Sequence, residues 1–166
     1  NLDIFGYPIY DIDSIILSHW HYDHTGALYP LLERIEKRIN IYTHESAQFE
    51  RIFRRSRYLK SSELNGKLRE ELVPLLNSSK IVNQEPINLQ RIEELNGEVQ
   101  FIKTRHQIFE NENLKVIISG EIPRGRKEED FDNFFSIQGG VARIDKILDD
   151  KCLLFEFNDN VLVLNG

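Results

Sequence analysis

The 166-residue chain contains no methionine, one cysteine and one tryptophan. A single thiol, Cys152, excludes an intramolecular disulfide and any zinc module built from several thiolates. It suits a reducing compartment such as the cytoplasm. No apolar run approaches the roughly 18 residues that a membrane span requires, so no membrane partner is expected. Positive charge is also in short supply: 21 Lys and Arg stand against 27 Asp and Glu, a net charge of −6. Nonspecific nucleic-acid binders are usually basic, and no basic platform interleaved with aromatics is present to stack bases, so nucleic acid is not an expected partner. The chain lacks repeats and low-complexity tracts. It begins at Asn1 without an initiator methionine and stops at Gly166 directly after an apolar strand pattern. These ends lead to the expectation of one partial domain, residues 1–166, cut from a longer chain.

What remains is ordinary for a globular protein, with 40 % hydrophobic and 29 % charged residues. SIILS (residues 14–18) reads as a buried strand. Thr25 is placed to cap a helix in which Leu28, Leu31, Leu32, Ile35 and Ile39 recur at helical spacing, with Pro30 near the first turn. INIYT (39–43) reads as the next strand, giving a strand–helix–strand unit. A charged helix with Phe49, Ile52 and Phe53 on its apolar side is expected to follow. GKLREELVPLLNSS (66–79) predicts a helix ended or kinked near Pro74, and IVNQEPINL (81–89) an irregular segment. EVQFI (98–102) and LKVIIS (114–119) predict strands, residues 120–140 a long polar loop, and residues 149–164 a hairpin turning at Asn158, Asp159 and Asn160. The mixture of βαβ and antiparallel pieces places the chain in the α/β (α+β) class.

The chemistry is concentrated in His19-Trp20-His21-Tyr22-Asp23-His24, which holds three of the five histidines. Residues i and i+2 of an extended segment point the same way. His19 and His21 are therefore expected to aim at one ion, and Asp23 and His24, beyond the turn, at a second. Imidazole and carboxylate suit one or two divalent ions, zinc foremost, with manganese or iron also accommodated. Such ions generate hydroxide from water near neutral pH, and Asp23 is the expected group to orient it and take a proton. A chance gathering of polar residues explains one histidine in a loop. It does not explain H-x-H-x-D-H between a buried strand and a helix.

This hexapeptide resembles the signature of the metallo-β-lactamase-fold hydrolases. LSHWHYDHTGALYPLLE, IYTHES, SGEIPR and IDKILDDKCLLFEFNDNVLVLNG follow, in order, the pattern of one subgroup of β-lactamase superfamily II metal-dependent hydrolases. That subgroup includes dihydropterin–ribofuranosylaminobenzene phosphate synthase-like enzymes. The resemblance implies a metallo-β-lactamase-like αβ/βα sandwich that is incomplete at both ends. About fifty residues would precede Asn1, and a Cys-x-His-like segment supplying a third imidazole would follow Gly166. It also implies hydrolysis of an ester or phosphoester by metal-bound hydroxide. The alternatives are a pyrophosphate-releasing, dihydropterin-coupling transferase, and a non-catalytic half-fold that binds a metal or a partner.

Other residues carry weaker signals. The subgroup often has a histidine at the position of His44, which would face substrate from the cleft rim. Gln48 excludes the zincin pattern H-E-x-x-H for the same stretch. Glu121 and Arg124, in a loop after a strand, are candidate substrate contacts, with Arg124 able to clamp a phosphate or carboxylate. The expected partner is thus a small anionic molecule, and a homo-oligomer is compatible with the pattern. Arg51, Arg54, Arg55 and Arg57 read chiefly as a solvated helix face, and Asp149-Asp150 as a turn or a site element with equal weight.

Overall fold

The structure is a computed structural model that describes residues 6–125 and 131–166. Its strands are β1 (Ser14–Ile16), β2 (Ile39–Thr43), β3 (Arg51–Arg54), β4 (Ile81–Gln84), β5 (Gly97–Phe101), β6 (His106–Glu110), β7 (Lys115–Ile118), β8 (Phe134–Gln138), β9 (Val141–Ile144), β10 (Cys152–Phe157) and β11 (Asn160–Asn165). The α-helices are α1 (Tyr22–Thr25), α2 (Leu28–Leu32), α3 (Arg69–Leu76) and α4 (Leu89–Glu94). Two compact units result: Asn1–Ser46, Asn88–Ile122 and Asp149–Gly166 form one, and Ala47–Ile87 and Pro123–Leu148 the other.

In the first unit, β1, β2 and β5 make a parallel sheet with β2 in the centre. The alternation of INIYT explains that position. Ile39, Ile41 and Thr43 are buried, while Asn40 between them is exposed. Leu28 and Leu32, four apart on α2, are buried too, as is Ile92 of α4. Gly97 opens β5 because a Cβ there would lie 2.5 Å from Ile92 Cγ2 and 2.9 Å from Ile41 Cδ1. A second, antiparallel sheet has the order β11-β10-β7-β6. Its β10–β11 hairpin turns through Asn158 and Asp159, both at positive φ, and pairs Phe157 with Asn160. That is the two-residue turn such residues favour.

The second unit is an antiparallel sheet of order β4-β3-β8-β9. Its core joins Ile52, Leu64, Leu72, Ile81 and Phe135. Here several sequence expectations are corrected. Residues 51–54 form a strand rather than a helix, because Ile52 and Phe53 pair with β4 on one side and β8 on the other. Arg51 is accordingly not on a solvated face: it is buried in an ion pair with Asp145. Residues 81–84, expected to be irregular, are the edge strand β4, and the expected loop 120–140 contains β8. Long-range pairing supplies both strands, and local pattern does not reveal it. Pro74 lies inside α3, which continues to Leu76. Among the described residues no helix is long and apolar enough to cross a membrane.

Phe135 is fully buried whereas Leu164 on the edge strand is half exposed. Phe135→Ala is expected to cost about 3–5 kcal/mol, and Leu164→Ala to stay within about 0.5 kcal/mol of the parent. Urea-denaturation midpoints followed by circular dichroism would show equal shifts for the two if this description of the core were wrong.

Candidate metal centre

Parallel pairing brings the carboxyl ends of β1, β2 and β5 to one edge. The ladder continues past them, with Leu17 N–H donating to Tyr42 O (2.9 Å) and Ile102 N–H to Thr43 O (2.7 Å). Ligands of parallel sheets bind outside such carboxyl ends. From this edge leave the His19–His24 segment after β1, His44 after β2 and Lys103 after β5. The second sheet of the same unit adds to it, since Glu121 N–H donates to Lys103 O (2.9 Å) and Ile122 N–H to Asp150 O (3.2 Å). Gly120, at φ +83°, permits the approach: a Cβ there would meet the Thr104 backbone at 2.6–2.7 Å.

His21 is extended (φ −120°, ψ 151°) and precedes α1. The His19 and His21 rings lie 4.7 Å apart, edge to face. The turn then returns His24 to 4.0 Å from the His19 ring. Ser18 Oγ is 3.3 Å from Nδ1 of both His19 and His24. Asp23 is exposed, its Oδ2 3.6 Å from His24 Nε2. Thus the one-turn α1 folds back on the strand end and sets His24 against the His19 ring on one side and beside the Asp23 carboxylate on the other. Thr25 does not cap a helix: it is the last residue of α1, and its hydroxyl donates to His21 O at 3.0 Å. Trp20 is buried, and its N–H donates to Asp149 Oδ2 at 2.8 Å.

Burial pushes the His19 imidazole down to about 4, with His21 and His24 adding to the shift and Asp149 and Asp150 opposing it. At neutral pH its ring is uncharged, the form that a metal binds. The donor chemistry of three imidazoles and the Asp23 carboxylate therefore fits a divalent ion. The rings rest on one another, and no three His, Cys, Asp or Glu side chains among the described residues are arranged to hold an ion.

His44 and Glu121 are brought together, with His44 Nε2 2.8 Å from Glu121 Oε1. Ser46 N–H donates to His44 Nδ1 at 3.1 Å, which leaves Nε2 as the nitrogen that donates to Glu121. Both ring nitrogens of His44 are thereby engaged within the protein, and the carboxylate of Glu121 carries the outward-facing polarity of the pair. Arg124 belongs to the second unit, where it donates to Ile147 O at 3.3 Å and lies 5.7 Å from the Phe131 ring. Lys151, unremarked in the sequence reading, is 2 % exposed, and its Nζ makes no hydrogen bond among the described residues. Burial pulls it down to about 8, against the opposing pull of Asp149, Asp150 and Glu121. A cavity of about 290 Å³ beside the cluster is lined by Ser18, His24, Lys151 and Asn165.

The His19 shift makes stability pH-dependent. The unfolded imidazole titrates near 6.5 and the folded one near 4, so between these values the unfolded state binds more protons. The contribution of neutral His19 is complete above about pH 6.5 and is lost progressively as the pH falls toward 4. Urea midpoints of the chelator-treated protein should drop over this window, and His19→Gln should flatten the drop. An identical slope in the variant would remove His19 as its source.

The chain matches the family model described as "Metallo-beta-lactamase superfamily" over residues 2–131. It is 33 % identical over 78 residues to 7,8-dihydropterin-6-methyl-4-(beta-D-ribofuranosyl)-aminobenzene-5'-phosphate synthase of Methanocaldococcus jannaschii, a match covering 47 % of this chain and 26 % of that protein. The crystal structure of Tm1679, described as a metal-dependent hydrolase of the beta-lactamase superfamily, aligns with a TM-score of 0.49 at 15 % identity over 92 % of this chain and 45 % of the other. The chain thus spans less than half the length of either protein.

Proposed function

The chain belongs to the metallo-beta-lactamase superfamily, and from that premise we propose that it is a metal-dependent hydrolase acting on an ester or phosphoester bond of a small anionic substrate. The observation that carries this reading is the meeting of His19, His21 and His24 at the carboxyl edge of the parallel sheet. His19 and His21 would hold one divalent ion, and Asp23 and His24 a second. Zinc is the favoured ion. A divalent ion at such a site supplies Lewis acidity and lowers the pKa of water to about 7. The chain's own contributions follow from its geometry. Burial keeps His19 neutral and ready to donate its lone pair. The Asp23 carboxylate, with a side chain 60 % exposed, is open to water, can accept a hydrogen bond from it and can take up its proton. The cavity beside Ser18 and His24 has room for a small group of the substrate.

A second reading follows from the likeness to the pterin synthase. The same residues would serve a transferase that couples a dihydropterin and releases pyrophosphate. Transfer requires that water be kept from the reacting centre, and the exposure of Asp23 favours hydrolysis.

The purified protein, loaded with zinc or manganese, is expected to cleave p-nitrophenyl esters or phosphoesters. His21→Ala should lower both metal affinity and rate by roughly 100-fold or more, since loss of even an outer partner of a ligand costs about 10–100-fold. Undiminished metal and activity in that variant would overturn the assignment. Coupling of a dihydropterin with pyrophosphate release, without phosphoester cleavage, would select the transferase.

A further inference from the structure

Resting on the metal-site reading, we infer that Asp149 and Asp150 are positioning residues for the ligand histidines: Asp149 fixes the peptide between His19 and Trp20, and Asp150 faces the ring of His19. The two residues lie far from the motif in sequence and precede β10. The end of β7 anchors them there. Ser119 N–H donates to Cys152 O (3.0 Å), Cys152 N–H to Ser119 Oγ (3.0 Å) and Ile122 N–H to Asp150 O (3.2 Å).

Asp149 is 1 % exposed, and its Oδ2 accepts the Trp20 N–H at 2.8 Å. A buried carboxylate accepting a backbone N–H makes a strong, orienting bond. That bond sets the plane of the peptide between His19 and Trp20. Trp20 is turned into the core, and the rings of the flanking His19 and His21 meet at 4.7 Å. Asp150 Oδ1 lies 3.9 Å from His19 Nδ1, both side chains being largely buried. A carboxylate on that side favours the tautomer protonated at Nδ1 and leaves the Nε2 lone pair for a ligand role. Ser18 Oγ, 3.3 Å from the same Nδ1, can accept from it as well. One Asp thus orients the backbone and its neighbour orients a ring.

The test uses Co²⁺ titrations of the whole protein, followed by absorption, together with ¹⁵N NMR of the histidine rings in the metal-free state. Asp149→Ala and Asp150→Ala are each expected to weaken Co²⁺ binding about 10–100-fold. Asp149→Asn should recover much of the affinity, because its amide oxygen still accepts the Trp20 N–H. Asp150→Ala should shift the His19 tautomer away from Nδ1–H while the far-ultraviolet circular dichroism stays unchanged. If Asp149→Ala does not fold, the Asn variant and Asp150→Ala decide. Wild-type affinity in Asp150→Ala with an unaltered His19 tautomer would overturn the role of Asp150. Affinity in Asp149→Asn no better than in Asp149→Ala, or wild-type affinity in Asp149→Ala, would overturn that of Asp149. Failure of the wild-type protein to bind Co²⁺ would instead defeat the metal-site reading, and the tautomer shift in Asp150→Ala would still be expected.

Discussion

The parallel alignment of β1, β2 and β5 is the constraint on which the site depends. Parallel strands end together, so whatever follows each of them emerges at one edge. Three short sequence stretches, far apart in the chain, are brought together before any side-chain chemistry operates. The Ile39, Ile41 and Thr43 face of β2 maintains the alignment, because a slip of one residue would expose those side chains and bury Asn40. The antiparallel β7 and β10 then bring Glu121 and the Asp149–Lys151 segment to the same region through the bonds from Glu121 and Ile122.

Charge at this edge is balanced within a poorly solvated setting. Asp149, Asp150 and Glu121 favour cations near them, and all three act on Lys151. Burial opposes the charged form of Lys151 and of His19 alike, and in His19 it prevails over the two aspartates. The contrast follows from the ordinary values: an ammonium lowered from 10.5 to about 8 stays largely protonated at neutral pH, whereas an imidazole lowered from 6.5 to about 4 is neutral there. Lys151 thus supplies the buried positive charge that offsets the carboxylates, while His19 keeps a lone pair for ligation.

Much of the site was legible because its signal is local. H-x-H-x-D-H begins where a strand ends, and the i, i+2 rule predicts that His19 and His21 share a side; their rings lie 4.7 Å apart, although residues 18–20 form a bend. The INIYT strand and the Asn158-Asp159 turn were equally readable, since alternation and tolerance of positive φ are properties of a few neighbouring residues. What was missed depends on distant partners. The Ile52–Phe53 stretch reads as either helix or strand until β4 and β8 lie beside it. The return of His24 to His19 depends on how one turn of helix folds back. The pairing of His44 with Glu121 spans two sheets, and neither residue announces the other. The Asp149-Asp150 pair reads as a turn or a site element, but nothing local singles out Asp149 as the acceptor for Trp20 or Lys151 as a buried ammonium.

The link between Trp20 and Asp149 also bears on when the site can exist. It joins residues 129 apart in sequence, so it belongs to the arrangement in which β10 is paired with β7 and the parallel sheet is in place. Residues so far apart in the chain meet through the pairing of β10 with β7, at a closure cost that grows only slowly with loop length. Without the Asp149 carboxylate, the His19–Trp20 peptide would lose the acceptor that sets its plane. Folding of the first unit makes the donors usable. By reciprocity, an ion that binds only the folded arrangement stabilises the unit that built it. Local sequence thus specifies which atoms can ligate, and long-range packing determines whether they do so together.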